Sequence, residues 1–146
     1  MARMIQSGLA SFVVRSMETP LASITEVLGI QPTGVIPRGT VLRSGRVQEC
    51  NVWCIDSDRM DNTEDDRTGT VALRWLLDAC RPVAGRVPLL PADCETCIWW
   101  TADSDSAQGG FVLPAELMAQ VAALGVDLYT TVNLDDRTDA EREANA

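Results

Sequence analysis

The sequence predicts a single α/β (α+β) domain. The expected form is a sandwich in which an antiparallel or mixed sheet of five to seven strands carries helices mainly on one face. Three observations lead there. Short runs rich in β-branched and aromatic residues alternate with stretches whose apolar residues recur three and four apart. Two of the helical stretches open at a proline and close at a glycine, Pro20 to Gly29 and Pro114 to Gly125. The chain has 146 residues, 46% of them apolar, which suffices for one core without a metal or disulfide staple. A ferredoxin-like arrangement, or a duplicated variant, fits this order of elements. Duplication would relate Leu28-Gly29-Ile30 to Leu124-Gly125-Val126. Two uses of a common helix ending explain the echo equally well.

The first eight residues read as a short leader, residues 9–134 as the domain, and 135–146 as a mobile acidic tail. Gly8 to Arg15 (GLASFVVR) reads as a strand. Thr19 can cap the next helix, with Pro20 at its first position and Leu21, Ile24 and Leu28 as its buried stripe. Gly29 then supplies a left-handed stop, Ile30 folds back on the last turn, and Pro32 prevents the helix from resuming. Gly34, Pro37 and Gly39 bend the chain toward a polar arm at Thr40–Arg43 and a turn at Ser44-Gly45. In that stretch only Thr33 and Arg38 have no evident backbone task.

Val47 to Ile55 reads as extended, with Val52 and Cys54 facing one way and Trp53 and Ile55 the other. Asp56 to Asp66 holds six carboxylates and one Arg, the composition of a solvated loop. Thr68 or Thr70 can cap a second helix whose apolar face includes Ala72, Trp75, Leu76, Ala79 and Cys80, ending near Pro82. Val83 to Leu90 is a linker or a short helix. Thr96 to Thr101 (TCIWWT) is a strand, followed by a turn at Asp103–Gly110 and a strand at Gly110–Leu113. Pro114 and Glu116 open a third helix with the stripe Leu117, Val121 and Leu124. After Gly125, Val126 to Val132 forms the last strand, with Asp127, Tyr129 and Thr131 on one face.

Charge narrows the function. With 21 acidic and 12 basic residues the net charge is −9, and no residue is Lys. Binding to duplex nucleic acid requires phosphate neutralisation, so a generic nucleic-acid binder is disfavoured. An anionic membrane surface is disfavoured for the same reason. The balance suits solubility or a basic partner. The absence of His excludes imidazole triads and HExxH zinc sites. No signal-peptide pattern is present at Met1–Gly8 and no apolar run could span a bilayer. Five cysteines, an odd count, fit a reducing cytoplasmic home with free thiols.

Cys94 and Cys97 form CETC, a weak signal for zinc or redox chemistry. A four-thiolate site would need Cys50 and Cys54, which in a strand lie about 13 Å apart, too far for one zinc. A redox CxxC opens a helix, whereas this one leads into a strand. The acidic loop fails the EF-hand register, because Met60 and Asp61 fall where an oxygen ligand and a glycine are needed. The Gly34–Gly39 spacing matches a P-loop, but Thr40 stands in place of Lys and the loop follows a helix. No cofactor is therefore expected.

Tryptophan is the unusual content. Trp53, Trp75, Trp99 and Trp100 outnumber Phe and Tyr together. Adjacent residues in a strand face opposite ways, so either Trp99 or Trp100 is available as a recognition anchor, while Trp75 is expected in the core.

The pattern Leu28-Gly29-Ile30-x-Pro32-Thr33, followed by Gly39 and Trp53, resembles a bacterial domain-of-unknown-function family across residues 9–134. The resemblance implies a small α/β protein of a kind found also in phage and sometimes near toxin or defence genes. It brings no catalytic residue. The cysteines and the long acidic loop depart from its pattern. The expected function is a non-enzymatic interaction domain, immunity-like or anti-defence-like. It would bind a partner protein through an acidic, tryptophan-bearing surface that includes Thr33, Arg38, Trp53, Trp99, Trp100, Asp56 and Asp58. The alternatives are a ligand-binding or enzymatic cleft near Thr33, Arg38, Trp53 and the acidic loop, and a structural homodimer joined through the sheet.

Overall fold

A computed structural model describes residues 5–62, 69–104 and 112–134. The elements in chain order are β1 (Ile5–Ser16), α1 (Leu21–Leu28), β2 (Gly34–Ile36), β3 (Asn51–Asp56), β4 (Met60–Asp61), α2 (Val71–Ala79), β5 (Glu95–Ser104), α3 (Ala115–Leu124) and β6 (Asp127–Leu134). They form one mixed sheet of six strands in the order β2-β3-β1-β5-β6, with β4 pairing on β1 beyond the end of β3. Every neighbouring pair is antiparallel except β5 and β6, which are parallel around α3.

Alternation along the strands builds the core. Phe12 of β1 lies opposite Ile55 of β3 and Ile98 of β5, Val14 opposite Trp53, and Ala10 opposite Trp100. All of these side chains are buried on one face. The stripes of the three helices close over them: Ile24 and Leu28, then Leu73, Leu76 and Leu77, then Leu117, Val121 and Leu124. Each large apolar side chain buried this way contributes about 1.5–3 kcal/mol. Phe12 meets Trp53 edge to face at 6.2 Å and 88°, a favoured aromatic geometry. The Trp53 Nε1–H donates to Thr25 Oγ1 at 2.9 Å, which satisfies the polar atom of a fully buried ring.

The glycine stops are as expected. Gly29 (φ 75°) and Gly125 (φ 71°) take the left-handed conformation at the ends of α1 and α3. Several other expectations need correction. The first strand starts earlier than the expected Gly8, because β1 begins at Ile5. Ser7 and Gly8 pair with Asp61 and Met60 on one side, and with Asp103 and Ala102 on the other. Those partners are distant in sequence, so local composition could not reveal the strand. Thr19 does not cap α1: Pro20 occupies the N-cap, and the Thr19 hydroxyl donates to Asp93 Oδ1 at 2.6 Å. Gly34–Ile36 is a strand rather than a simple bend, and its partners in β3 are Cys54, Trp53 and Val52.

Trp75 is 39% exposed, because the buried face of α2 is set by Ala72, Leu73, Leu76 and Leu77. Val112 and Leu113 lie outside any strand, while Gly110 and Phe111 fall outside the described residues. So do the tail, Thr68, and the loop from Thr63 through Asp66. A ferredoxin-like sheet is built on split βαβ units. Here β1 and β3 pair directly and antiparallel across α1, whereas β5 and β6 pair directly and parallel across α3. The fold is therefore neither ferredoxin-like nor a duplication of equivalent halves.

Candidate functional site

The three helices pack on one face of the sheet, and no described helix covers the other. Period-two alternation sends a second set of side chains to that open face. Register places them in rows that cross the strands. One row runs Asp56, Ser11, Trp99, Tyr129 over β3, β1, β5 and β6. The next runs Gly34, Cys54, Val13, Cys97, Asp127, starting on β2. Arg15, Val52 and Glu95 lie in a third row.

At the β3 end of the first row is a closed polar network. Asp56 N–H donates to Thr33 Oγ1 at 2.7 Å, and the Thr33 hydroxyl lies 3.3 Å from both Cys54 O and Asp56 Oδ2. The Ser11 hydroxyl donates to Asp56 Oδ1, and the Cys54 thiol approaches Asp56 Oδ2 at 3.2 Å. Both carboxylate oxygens are thus occupied, and the network ties Thr33, β3 and β1 together. Burial, reinforced by the hydrogen bond and negative charge of Asp56, pushes the Cys54 thiol up to about 12. Burial raises Cys97 as well. At neutral pH Cys54 is a protonated thiol, which is a poor nucleophile and a poor metal ligand.

At the β6 end the chemistry is different. Trp99 and Tyr129 stack with ring centroids 4.7 Å apart and planes 23° from parallel. Trp99 is 40% exposed and Tyr129 47% exposed. Asp127 lies beside them, one row along, and is exposed. A rigid aromatic surface bordered by carboxylates can desolvate against an apolar or cationic group at little entropic cost.

The sequence-nominated residues divide. Thr33, Asp56 and Trp99 share the open face. Trp53 and Trp100 are fully buried on the opposite, helix-covered face. Arg38 sits at the end of the sheet, where its N–H donates to Asn51 Oδ1 at 2.8 Å and its guanidinium to Met17 O at 3.1 Å. Thr33 and Arg38 therefore both have structural tasks. Asp58 is exposed just past β3, beside Ser57, which bonds the Ala10 backbone. Thr33, Arg38 and Trp53 do not converge on one cleft. Cys94 packs against the core, whereas Cys97 pairs opposite Val13 on the open face, so the two thiols of CETC part to opposite sides of the sheet.

Sequence reasoning did not nominate Ser11, Tyr129 or Asp93. Tyr129 was legible as exposed in the last strand, but its neighbour Trp99 is fixed only by strand pairing. Asp93 lies in the turn before β5 and holds the β1–α1 connection. It accepts from the hydroxyls of Ser16 and Thr19 and from the N–H groups of Glu18 and Thr19. Those donors, the Ser16 hydroxyl foremost, hold its carboxyl well below the usual carboxylate range.

Among the described residues no helix is long and apolar enough to cross a membrane, and no three His, Cys, Asp or Glu side chains gather as a metal site. No curated protein and no solved structure matches the chain. A family model for a domain of unknown function, DUF4279, does match, and it spans residues 5–134, from the first residue of β1 to the last of β6. The chain belongs to the DUF4279 family.

Proposed function

We propose that this is a non-enzymatic protein-interaction domain that binds a basic partner protein through the open face of its sheet, in the manner of an immunity or anti-defence protein. The exposed Trp99–Tyr129 stack is the observation that carries the reading. Stacked, half-exposed aromatic rings are typical of the anchors that dominate binding energy at interfaces. Charge supports a basic partner. The chain carries −9 overall, and on the rows described above Asp56, Glu95 and Asp127 outnumber the cation Arg15. The five free thiols fit a reducing cytoplasmic setting. An enzymatic cleft draws less support, since Thr33, Arg38 and Trp53 lie apart and the Asp56 oxygens are already engaged.

The test is affinity capture with mass spectrometry, comparing the native chain with a Trp99→Ser/Tyr129→Ser variant. The native chain should retain a basic protein that elutes as salt rises, and the variant should lose it. Equal retention by both would refute the assignment of this face.

A further inference from the structure

We infer that the outer edge of β6, together with the adjoining flank of α3, is a self-association surface whose occupant is a second copy of this chain. β6 is a terminal strand of the sheet, and among the described residues nothing pairs with its outer side. It is eight residues long, and between Asp127 and Leu134 it has no Lys, Arg or Pro. Natural edge strands are usually blunted by such residues or kept short, so an edge of this length is built to be covered.

The helix beside it points the same way. In α3 Leu117 faces the sheet, and Glu116 and Met118 lie about 100° to either side of it. Glu116 pairs with Arg74 of α2 at 2.7 Å, which identifies its flank as the inner one. Met118 and, one turn on, Ala122 therefore face outward, over the β6 edge. Met118 is 50% exposed, and Val132, on the same side of the sheet, is 41% exposed. Helix flank and strand edge make one two-layered surface of Met118, Ala122, Thr130 and Val132.

Charge selects the occupant. On a chain of net charge −9 this surface, among the described residues, holds no charged side chain except Asp127 at its end, so it offers a basic partner little. It is self-complementary instead. A two-fold axis through Thr130 would pair two β6 strands antiparallel, with Leu128 opposite Val132, Tyr129 opposite Thr131, and Asp127 opposite Asn133. No two carboxylates meet, and apolar residues face apolar residues. Such an interface is isologous and closes at two copies. It would join two sheets edge to edge, with both Trp99–Tyr129 stacks on one continuous face.

Sedimentation and light scattering on the full chain test this. The expected result is a micromolar dimer of twice the 15.8 kDa chain mass, tightening as salt screens the like net charges. Met118→Glu and Val132→Asp should each weaken it at least tenfold without changing the circular dichroism of the chain. Trp99→Ser, which removes the proposed partner-binding anchor, should leave it intact, so the two proposals fail separately. A monomer at every concentration would overturn the inference. So would a dimer indifferent to both edge variants, or a monomer that gains mass only with a different protein.

Discussion

Replacing Gly29 with Ala tests how the α1 stop is built. The residue sits at φ 75° and ψ 11°, and its N–H donates to Thr25 O at 2.8 Å. A side chain in this left-handed conformation costs roughly 1–2 kcal/mol. A Cβ there would also come 2.8 Å from Nη1 of Arg86, whose guanidinium lies over the glycine. That group is the far end of a flexible side chain and can swing into solvent, so the backbone penalty should dominate. Gly125 is the control, with φ 71° and nothing within 4 Å of an added Cβ. Urea denaturation should show Gly29→Ala and Gly125→Ala each losing about 1–2 kcal/mol, roughly 2–8 °C in Tm. The two losses should agree within about 0.5 kcal/mol, and removing Arg86 should not rescue the first. If Arg86→Ala recovers most of the Gly29→Ala loss, the guanidinium is a rigid clamp and the reasoning fails. If neither glycine variant loses stability, the left-handed stops are not needed.

Asp93 should make stability sensitive to acid. Its folded carboxyl lies below the unfolded value of 3.8, so its contribution is fully present above that pH and is lost as pH falls toward the folded value. The stability gap between the native chain and Asp93→Asn, followed by urea midpoints from pH 5 downward, should therefore narrow below about pH 4. Cys54 and Cys80, both pushed up to about 12, should resist alkylation at neutral pH in the folded chain and react once it is unfolded, as peptide mass mapping would show. Trp53→Phe should cost about 1–3 kcal/mol in urea, from lost ring volume and the lost bond to Thr25. A cost near zero would mean that the core closes over the change.

Much of the helix layer was readable from local sequence. The stripes of α1 and α3, the proline starts and the glycine stops depend on residues within a turn or two of one another. The alternation in β3 and the division of Trp99 from Trp100 were readable for the same reason. Trp75 was misplaced because the expected face was centred too far toward it: Trp75 lies about 100° from Leu76 around the helix, and the buried residues Ala72, Leu73, Leu76 and Leu77 centre on the Leu76 side. Residues 5–7 and Gly34–Ile36 were missed because their pairing comes from partners far along the chain, such as Asp61 and Asp103 for Ser7 and Cys54 for Gly34. At the candidate site, Trp99 and Asp56 could be nominated singly. Their relation to Ser11 and Tyr129 could not.

By itself, then, the sequence determined an acidic α/β chain without imidazole chemistry, the glycine stops of α1 and α3, and which side chains of β3, β5 and β6 share a face. Those properties follow from charge and backbone periodicity, which are local. Tertiary structure decided that β1 is central and that Trp99 stacks on Tyr129 at the sheet's edge. Each depends on which strands lie side by side, a choice made by packing between segments far apart in the chain.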